Sequence, residues 1–245
     1  MKRILNILLV LTLVAGAIFL LGFVQHEQDN KEVWNFDVRV AGDEMNFVNA
    51  DMIKDQINDL GVQILGAPSS TIDLQKIQKT VLKNPAVKSS EVYKTLDGQV
   101  RIDIVQRKPI LRIFHSDGYS YYLDESGKEM PLSENYTAHV PVVTLTGRLS
   151  QNPNKVFIDL KEIALLIQKD SFLKAQVDCI RVNEQGEYIL IPRVGNQEIL
   201  LGKADELQLK FKKLKAFYQE VVQVTPLDKY ETINLKYKNQ VVCNE

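Results

Sequence analysis

The sequence predicts an α+β protein that begins with one transmembrane helix and continues as two folded domains. Three observations lead to this fold class. Residues 4–24 carry no charged side chain, and 17 of these 21 residues are hydrophobic. Residues 37–108 follow the order strand, helix, helix, strand, strand. Residues 109–245 contain many short strand patterns, two longer amphipathic helices and a strand pattern at the end of the chain.

The composition excludes several classes of protein. The chain is 45% hydrophobic and 25% charged, which excludes a disordered chain and a membrane protein with many spans. A formal net charge of -1 argues against a dedicated nucleic-acid binder. The two cysteines are too few for a disulfide scaffold or an all-cysteine zinc site. The sequence alone does not decide whether Cys179 and Cys243 form a disulfide.

The first 24 residues predict a membrane anchor. A helix of 21 residues spans about 30 Å, which is the thickness of the hydrocarbon core of a bilayer. Lys2 and Arg3 precede this segment, so the positive-inside rule predicts a cytoplasmic tail of residues 1–3 and an exported remainder. The alternative is a signal peptide cleaved near Ala15-Gly16-Ala17. The apolar run continues to Val24, which a signal peptide does not need, so the uncleaved anchor is favoured.

After a linker of residues 25–36, a small domain is predicted for residues 37–108. Phe36, Val38 and Val40 alternate with polar residues, as in a half-buried strand. Asn49 is a typical residue for capping a helix N-terminus, and Asp97-Gly98 predicts a hairpin between the last two strands. Each predicted helix has hydrophobic residues on one face: Ile53, Ile57 and Leu60 in the first, and Leu74, Ile77 and Val81 in the second.

A second, β-rich domain is predicted for residues 109–245. Asn152-Pro153 is a favoured start for a helix, and a further amphipathic helix follows Leu207. The predicted core faces of these helices are Val156, Leu160, Ile163 and Ile167 in the first, and Leu207, Phe211, Leu214, Tyr218 and Val221 in the second. The predicted strands are Ile110–Phe114, Tyr119–Leu123, Val140–Leu145, Val177–Val182, Tyr188–Pro192, Gln197–Leu201 and Thr232–Val242.

The charged residues of this domain are predicted to be solvent-exposed rather than catalytic or ligand-binding. Asp124 is predicted at the solvent-exposed tip of a hairpin, and Asp159 and Glu162 are predicted on the solvent-exposed face of a helix. The lysines at 210, 212, 213 and 215 fit the polar side of the last helix, although contact with anionic lipid or with carboxylates of a partner is the alternative. We find no catalytic, cofactor or metal motif among the three histidines, the two cysteines and the acidic residues. The sequence therefore favours a binding protein over an enzyme.

The strand pattern of Thr232–Val242 is the strongest candidate for a binding site. A strand at a chain terminus often lies at the edge of a sheet, where its unpaired backbone groups accept a strand from another chain. Tyr237 provides a rigid aromatic side chain of the kind that anchors interfaces. The competing interpretation is an ordinary strand whose edge is covered by its own domain.

Five segments resemble the bacterial division family FtsQ, called DivIB in Gram-positive bacteria. They are Val38-Arg39-Val40-x-Gly42, Val105-Gln106-Arg107-Lys108-Pro109, Tyr122-Leu123-Asp124-x-x-Gly127, Pro141-Val142-Val143-x-x-x-Gly147 and Ile233-Asn234-Leu235-Lys236-Tyr237. Their order and spacing match an anchor, a POTRA domain of the order strand, helix, helix, strand, strand, and a C-terminal β-domain. The amino-acid sequences of the hairpin Tyr121–Lys128 and of the C-terminal segment Tyr237–Val242 are similar to those of Bacteroidetes members. Glutamate is frequent in the family where Gln106 stands, and the cytoplasmic tail is usually longer.

The resemblance implies a non-enzymatic scaffold of the divisome in the inner membrane at the septum, with both domains in the periplasm. It implies strand addition by FtsB/FtsL-like coiled-coil proteins, and an indirect influence on septal peptidoglycan synthesis by FtsW/FtsI-like enzymes. No cofactor is implied. Carried over by position, the partner-binding residues are Ile233, Leu235, Lys236, Tyr237, Lys238, Asn239, Gln240 and Val241.

Two other functions stay open from the residues alone. POTRA domains also occur in envelope assembly and secretion factors, although usually in tandem ahead of a long barrel. An anchored, exported cell-wall enzyme would require a nucleophile and base, or metal ligands, that meet only in the folded chain.

Overall fold

The computed structural model describes residues 9–19, 31–42, 45–61, 63–115, 117–145, 152–220 and 229–245. The chain divides into two compact units, Met1–Gln106 and Arg107–Glu245. Residues 9–19 are helical, and the rest of the predicted anchor lies outside the described residues. Within the described part of the chain, no helix has both the length and the apolar character needed to cross a membrane.

Beyond residue 30, the described part of the first unit contains a three-stranded sheet and two α-helices. Its elements are β1 (Asn35–Ala41), α1 (Ala50–Asn58), α2 (Leu74–Val81), β2 (Val87–Lys94) and β3 (Gln99–Gln106), with a single 3-10 turn at Ser69–Thr71. The sheet order is β1-β3-β2. Strand β3 pairs in parallel with β1 and antiparallel with β2. The order strand, helix, helix, strand, strand is as predicted.

The local sequence explains the ends of these helices. The Oδ1 of Asn49 accepts a hydrogen bond from the backbone N of Met52 at 2.8 Å, and Asp73 caps α2 in the same way at Lys76. The hydrophobic faces of the two helices cover the sheet, where Ile53, Ile57 and Val81 are fully buried. Burial of these stripes stabilises the helices more than their intrinsic propensity does.

The second unit is built on a nine-stranded sheet with the order β12-β11-β10-β9-β8-β7-β4-β5-β6. Its strands are β4 (Pro109–Phe114), β5 (Ser120–Asp124), β6 (Glu129–Met130), β7 (Val142–Leu145), β8 (Val177–Val182), β9 (Tyr188–Pro192), β10 (Glu198–Gly202), β11 (Thr232–Asn234) and β12 (Val242–Asn244). The pairs β4–β7, β7–β8 and β10–β11 are parallel, and the other pairs are antiparallel.

Three helices lie among the described residues of this unit: α3 (Pro153–Lys169), α4 (Ser171–Gln176) and α5 (Leu207–Glu220). The Oδ1 of Asn152 accepts from the backbone N of Asn154 at 3.0 Å, as a cap for α3. The predicted core faces are confirmed for the described residues, because Leu160, Ile163 and Leu214 have no exposed surface. Val221, the last predicted core residue, lies outside the described residues. The short helix α4 is not evident from periodicity, since six residues are less than two turns.

The two cysteines are free thiols. Cys179 lies on β8 and Cys243 on β12, and four strand spacings separate these strands in the sheet. At ~4.8 Å per spacing the separation is roughly 19 Å, whereas a disulfide requires Cα atoms within about 7 Å. The two thiols therefore do not pair in this fold.

Candidate functional site

The C-terminal segment forms two short strands instead of the single strand predicted for Thr232–Val242. Strand β11 ends at Asn234, the chain turns, and β12 returns antiparallel to it. On its other side, β11 pairs in parallel with β10. The prediction of one open edge strand along the whole of Thr232–Val242 is therefore wrong, because β11 is paired on both sides. The last strand of the sheet is β12, and β11 is its one neighbour among the described strands.

Strand β11 ends at Asn234 because the side chain of this residue forms a local turn. The Oδ1 of Asn234 accepts a hydrogen bond from the backbone N of Lys236 at 3.0 Å, which closes a local turn. The backbone N of Leu235 still donates to the carbonyl of Leu200 at 3.0 Å, and the Leu235 side chain is fully buried. Leu235, the first residue after β11, is therefore still bonded to β10 before the chain turns away from the sheet.

A lysine of α5 holds the bend. The Nζ of Lys213 donates to the carbonyl oxygen of Leu235 at 2.9 Å and also to the carbonyl oxygen of Tyr237. Burial, followed by the nearby charge of Lys210, lowers the pKa of Lys213. These two bonds satisfy carbonyl groups that no strand partner takes up, so α5 fixes the position of the turn between β11 and β12.

The structure separates the predicted partner-binding residues into two groups. Ile233 and Leu235 have no exposed surface, so their side chains lie in the core of the unit. Half of the Tyr237 side chain is exposed, at 50%. The exposed remainder, with Val241 half-buried at its end, is Lys236, Tyr237, Lys238, Asn239, Gln240 and Val241.

A groove of about 400 Å³ opens beside this turn. Its apolar walls include Phe217 and Tyr230, whose rings pack edge to face with centroids 5.7 Å apart. Lys213 and Glu220 are the charged residues of its lining. The other lining residues are Ala216, Asn239, Gln240, Val241 and Cys243. The groove is therefore continuous with the exposed turn and with the edge strand.

The orientation of the β12 backbone shows which polar groups face outward. The carbonyl oxygen of Asn244 accepts from the backbone N of Glu231 at 2.9 Å, so Asn244 directs its polar groups toward its own sheet. Because backbone groups alternate in direction along a strand, the N–H and C=O of Cys243 point away from the sheet. These two groups can form hydrogen bonds with an added strand, and no hydrogen bond within the chain has to break.

Two acidic residues that were predicted to be solvated are instead buried. Asp159 is 7% exposed, and its carboxylate binds the Nζ of Lys155 at 2.9 Å and the hydroxyl of Tyr188 at 3.1 Å. Asp124 is 3% exposed and pairs with Arg107 at 2.8 Å. Both predictions are wrong for one reason. The partners Tyr188 and Arg107 are distant in sequence, so periodicity does not detect them.

The carboxylate of Asp124 organises the β5–β6 turn. It accepts from the backbone N and the hydroxyl of Ser126 and from the backbone N of Lys128, at 2.8, 2.6 and 2.8 Å. Burial alone would raise the pKa of Asp124, but the hydrogen bonds from Ser126, Arg107 and Lys128 together lower it. The carboxylate is therefore a structural anion.

The lysines of α5 are mostly engaged within the unit. Lys210 is 6% exposed and bonds to the carbonyl of Lys203 and to Asp205, contrary to its prediction as part of the polar face. Lys215 pairs with Asp170. With Lys213 at the bend, three of the four lysines bind groups of their own chain, which weakens the alternative of a basic patch for lipid. Lys212 is exposed, as predicted.

The features of the candidate site that the sequence did not reveal are β12 and the groove. Val242–Asn244 is too short for a periodic signal. The groove joins residues from α5 and from both sides of the final turn. One local signal was available: an asparagine side chain often closes an Asx turn, as Asn234 does with Lys236. Within the described residues, no group of three or more His, Cys, Asp or Glu is placed to hold a metal ion.

Comparison with known proteins identifies the family. A family model described as FtsQ/DivIB, C-terminal related, matches residues 108–244. A model described as POTRA-like domain matches residues 35–105. A cell division protein FtsQ of Rhodothermus marinus is 28% identical over 189 residues, which is 74% of this chain and 68% of that relative. Since the first model covers more than half of the chain, the chain belongs to the FtsQ/DivIB family.

Proposed function

We propose that this chain is a non-enzymatic divisome scaffold that binds FtsB/FtsL-like coiled-coil proteins at the β12 edge of its second unit. Membership of the FtsQ/DivIB family implies a scaffold role in cell division. The observation that carries the finer proposal is the β12 edge strand, with outward backbone groups at Cys243 and an apolar groove beside it. Through these partners the chain helps control septal peptidoglycan synthesis by FtsW/FtsI-like enzymes.

The proposed contact surface differs from the one predicted from sequence. An added strand pairs with β12, and the exposed turn side chains contact the same partner. We retain Lys236, Tyr237, Lys238, Asn239, Gln240 and Val241 as side-chain contacts. Ile233 and Leu235 are assigned to the core. The groove accepts the apolar face of a partner helix, as in other helix-in-groove interfaces.

The proposed location is the inner membrane at the division septum. Residues 4–24 anchor the chain, the N-terminus is cytoplasmic, and the two units after linker 25–36 are periplasmic. A fluorescent fusion in dividing cells is expected to form a midcell band. An even signal around the envelope would contradict the division role.

A proline at residue 243 tests strand addition directly. Cys243→Pro removes an outward N–H that is not needed by the sheet, and proline is tolerated on edge strands in this orientation. Cys243→Ala keeps the N–H and removes the thiol, so it is the matched control. We expect calorimetric titration of the full chain with an FtsB/FtsL-like complex to show loss of binding for the proline variant only.

The two variants also separate the possible failures. Equal affinity for both variants and the native chain would contradict strand addition at β12. Equal loss in both variants would assign the effect to the side chain and not to the backbone.

A further inference from the structure

Three large hydrophobic side chains are exposed at one end of the first unit. Trp34 is 62% exposed, Leu65 is 54% exposed and Leu96 is 82% exposed. We call these three residues the Trp34 surface. Singly exposed leucines are common in proteins, but grouped exposed apolar residues mark an interaction site.

Backbone contacts bring the three residues to the same end. The backbone N of Gly66, which follows Leu65, donates to the carbonyl of Val33 at 2.8 Å. The Nε1 of Trp34 donates to the carbonyl of Asp97, which follows Leu96, at 2.7 Å. Each leucine is therefore next in sequence to a residue that bonds to the Val33-Trp34 segment.

Folding of the unit does not require an exposed indole at this position. The neighbouring Val33 is 1% exposed and supplies the contact with the core. The indole N–H of Trp34 is already satisfied by Asp97, so covering the ring with a less polar medium leaves no unpaired donor. The outward part of the side chain is then purely apolar.

We propose that the Trp34 surface lies in the headgroup region of the membrane that holds the anchor. This inference rests on the anchor in the proposed function. Trp34 follows the predicted end of the anchor, Val24, by ten residues, and an extended chain of that length reaches at most about 34 Å. Tryptophan rings are enriched at the membrane–water interface. A short tether and an apolar surface at the tethered end of the unit both favour the bilayer as the occupant.

The tryptophan content of the chain allows a direct test, because Trp34 is its single tryptophan. The full chain is reconstituted in phosphatidylethanolamine–phosphatidylglycerol vesicles, with or without brominated phosphatidylcholine. We expect brominated lipid to quench Trp34 emission and aqueous iodide to have little effect. The double variant Leu65→Ser, Leu96→Ser keeps the fluorophore and is expected to lose most of the lipid quenching and to gain iodide quenching.

Leu132→Ser is the matched control, since Leu132 is an exposed leucine of the second unit, at 44%. It is expected to leave the quenching of Trp34 unchanged. Thermal unfolding of each variant establishes that the exposed substitutions leave the fold intact.

Two results would overturn the inference. Strong iodide quenching without lipid quenching would place the indole in water. Protection from both quenchers would show that protein, and not lipid, covers the surface. Flotation of the same vesicles distinguishes a failed anchor, in which the chain stays at the bottom of the gradient, from a failed surface, in which the chain floats but is not quenched by lipid.

Discussion

Replacing Tyr237 by alanine removes the aromatic side chain from the turn that joins β11 to β12. The side chain is 50% exposed, whereas the backbone of the turn is held by Lys213. The substitution therefore removes contact area available to a partner and leaves the turn in place. We expect a change of less than about 1 kcal/mol in the free energy of unfolding, as for other surface substitutions.

The expected loss of affinity follows from the exposed area. A tyrosine offers roughly 200 Å² in total, so half exposure leaves roughly 100 Å² for the partner to cover. At about 25 cal/mol per Å², full coverage contributes about 2.5 kcal/mol. Alanine keeps a small part of this area, so we expect a loss of about 2 kcal/mol, or roughly 30-fold in Kd.

The assay is calorimetric titration of the detergent-solubilised full chain with a purified FtsB/FtsL-like complex. Tyr119→Ala is the control, because Tyr119 is also exposed, at 60%, but lies near the opposite end of the sheet order. A weakening of less than about threefold for Tyr237→Ala would refute the assignment of this turn to the interface. An equal weakening for Tyr119→Ala would show that the effect is not specific to the turn.

Three further predictions concern the supports of the site and of its unit. Lys213→Met leaves the carbonyl groups of Leu235 and Tyr237 without their donor. We expect chemical denaturation to show a loss of about 1–2 kcal/mol in the free energy of unfolding. We also expect its effect on partner affinity to be less than additive with that of Tyr237→Ala. Gly202→Ala places a side chain at φ +74°, where the new Cβ would lie 2.7 Å from the Cγ of Lys236. We expect this substitution to lower the free energy of unfolding by about 1–2 kcal/mol in the same assay. Asp124→Asn removes the counter-charge of Arg107, whose side chain is 12% exposed, and we expect a loss of about 3 kcal/mol near pH 7. Because the folded pKa of Asp124 is lowered, its stabilisation is present above the ordinary carboxyl range, near pH 4, and disappears as the pH falls through the folded pKa. The native chain should therefore lose more stability than the variant between about pH 5 and pH 2; parallel pH curves would contradict this.

Local patterns predicted most helices and strands. Asn49, Asp73 and Asn152 act as caps because their short polar side chains satisfy free N–H groups at a helix start. The Asp97-Gly98 turn joins β2 and β3 as predicted, since glycine adopts the positive φ that the turn requires. Such features depend on neighbours within four residues.

Contacts between distant residues were not predictable in the same way. Asp159 was assigned to solvent from its place on the helix, but it accepts a hydrogen bond from Tyr188, 29 residues away. Lys210 was assigned to the polar face, but its ammonium group reaches the carbonyl of Lys203. A charged residue can be buried when a partner compensates its desolvation, and periodicity carries no information on that partner.

The sequence by itself determined the α+β class and the order of most elements, and it predicted a candidate site in the last residues of the chain. Only the tertiary structure decided which strand forms the sheet edge. The side chains of Ile233 and Leu235 are buried in the core, and the turn after Asn234 lets β12 pair with β11. The outward backbone groups therefore belong to β12, because strand pairing is decided by the packing of the whole sheet and not by the pattern of one strand.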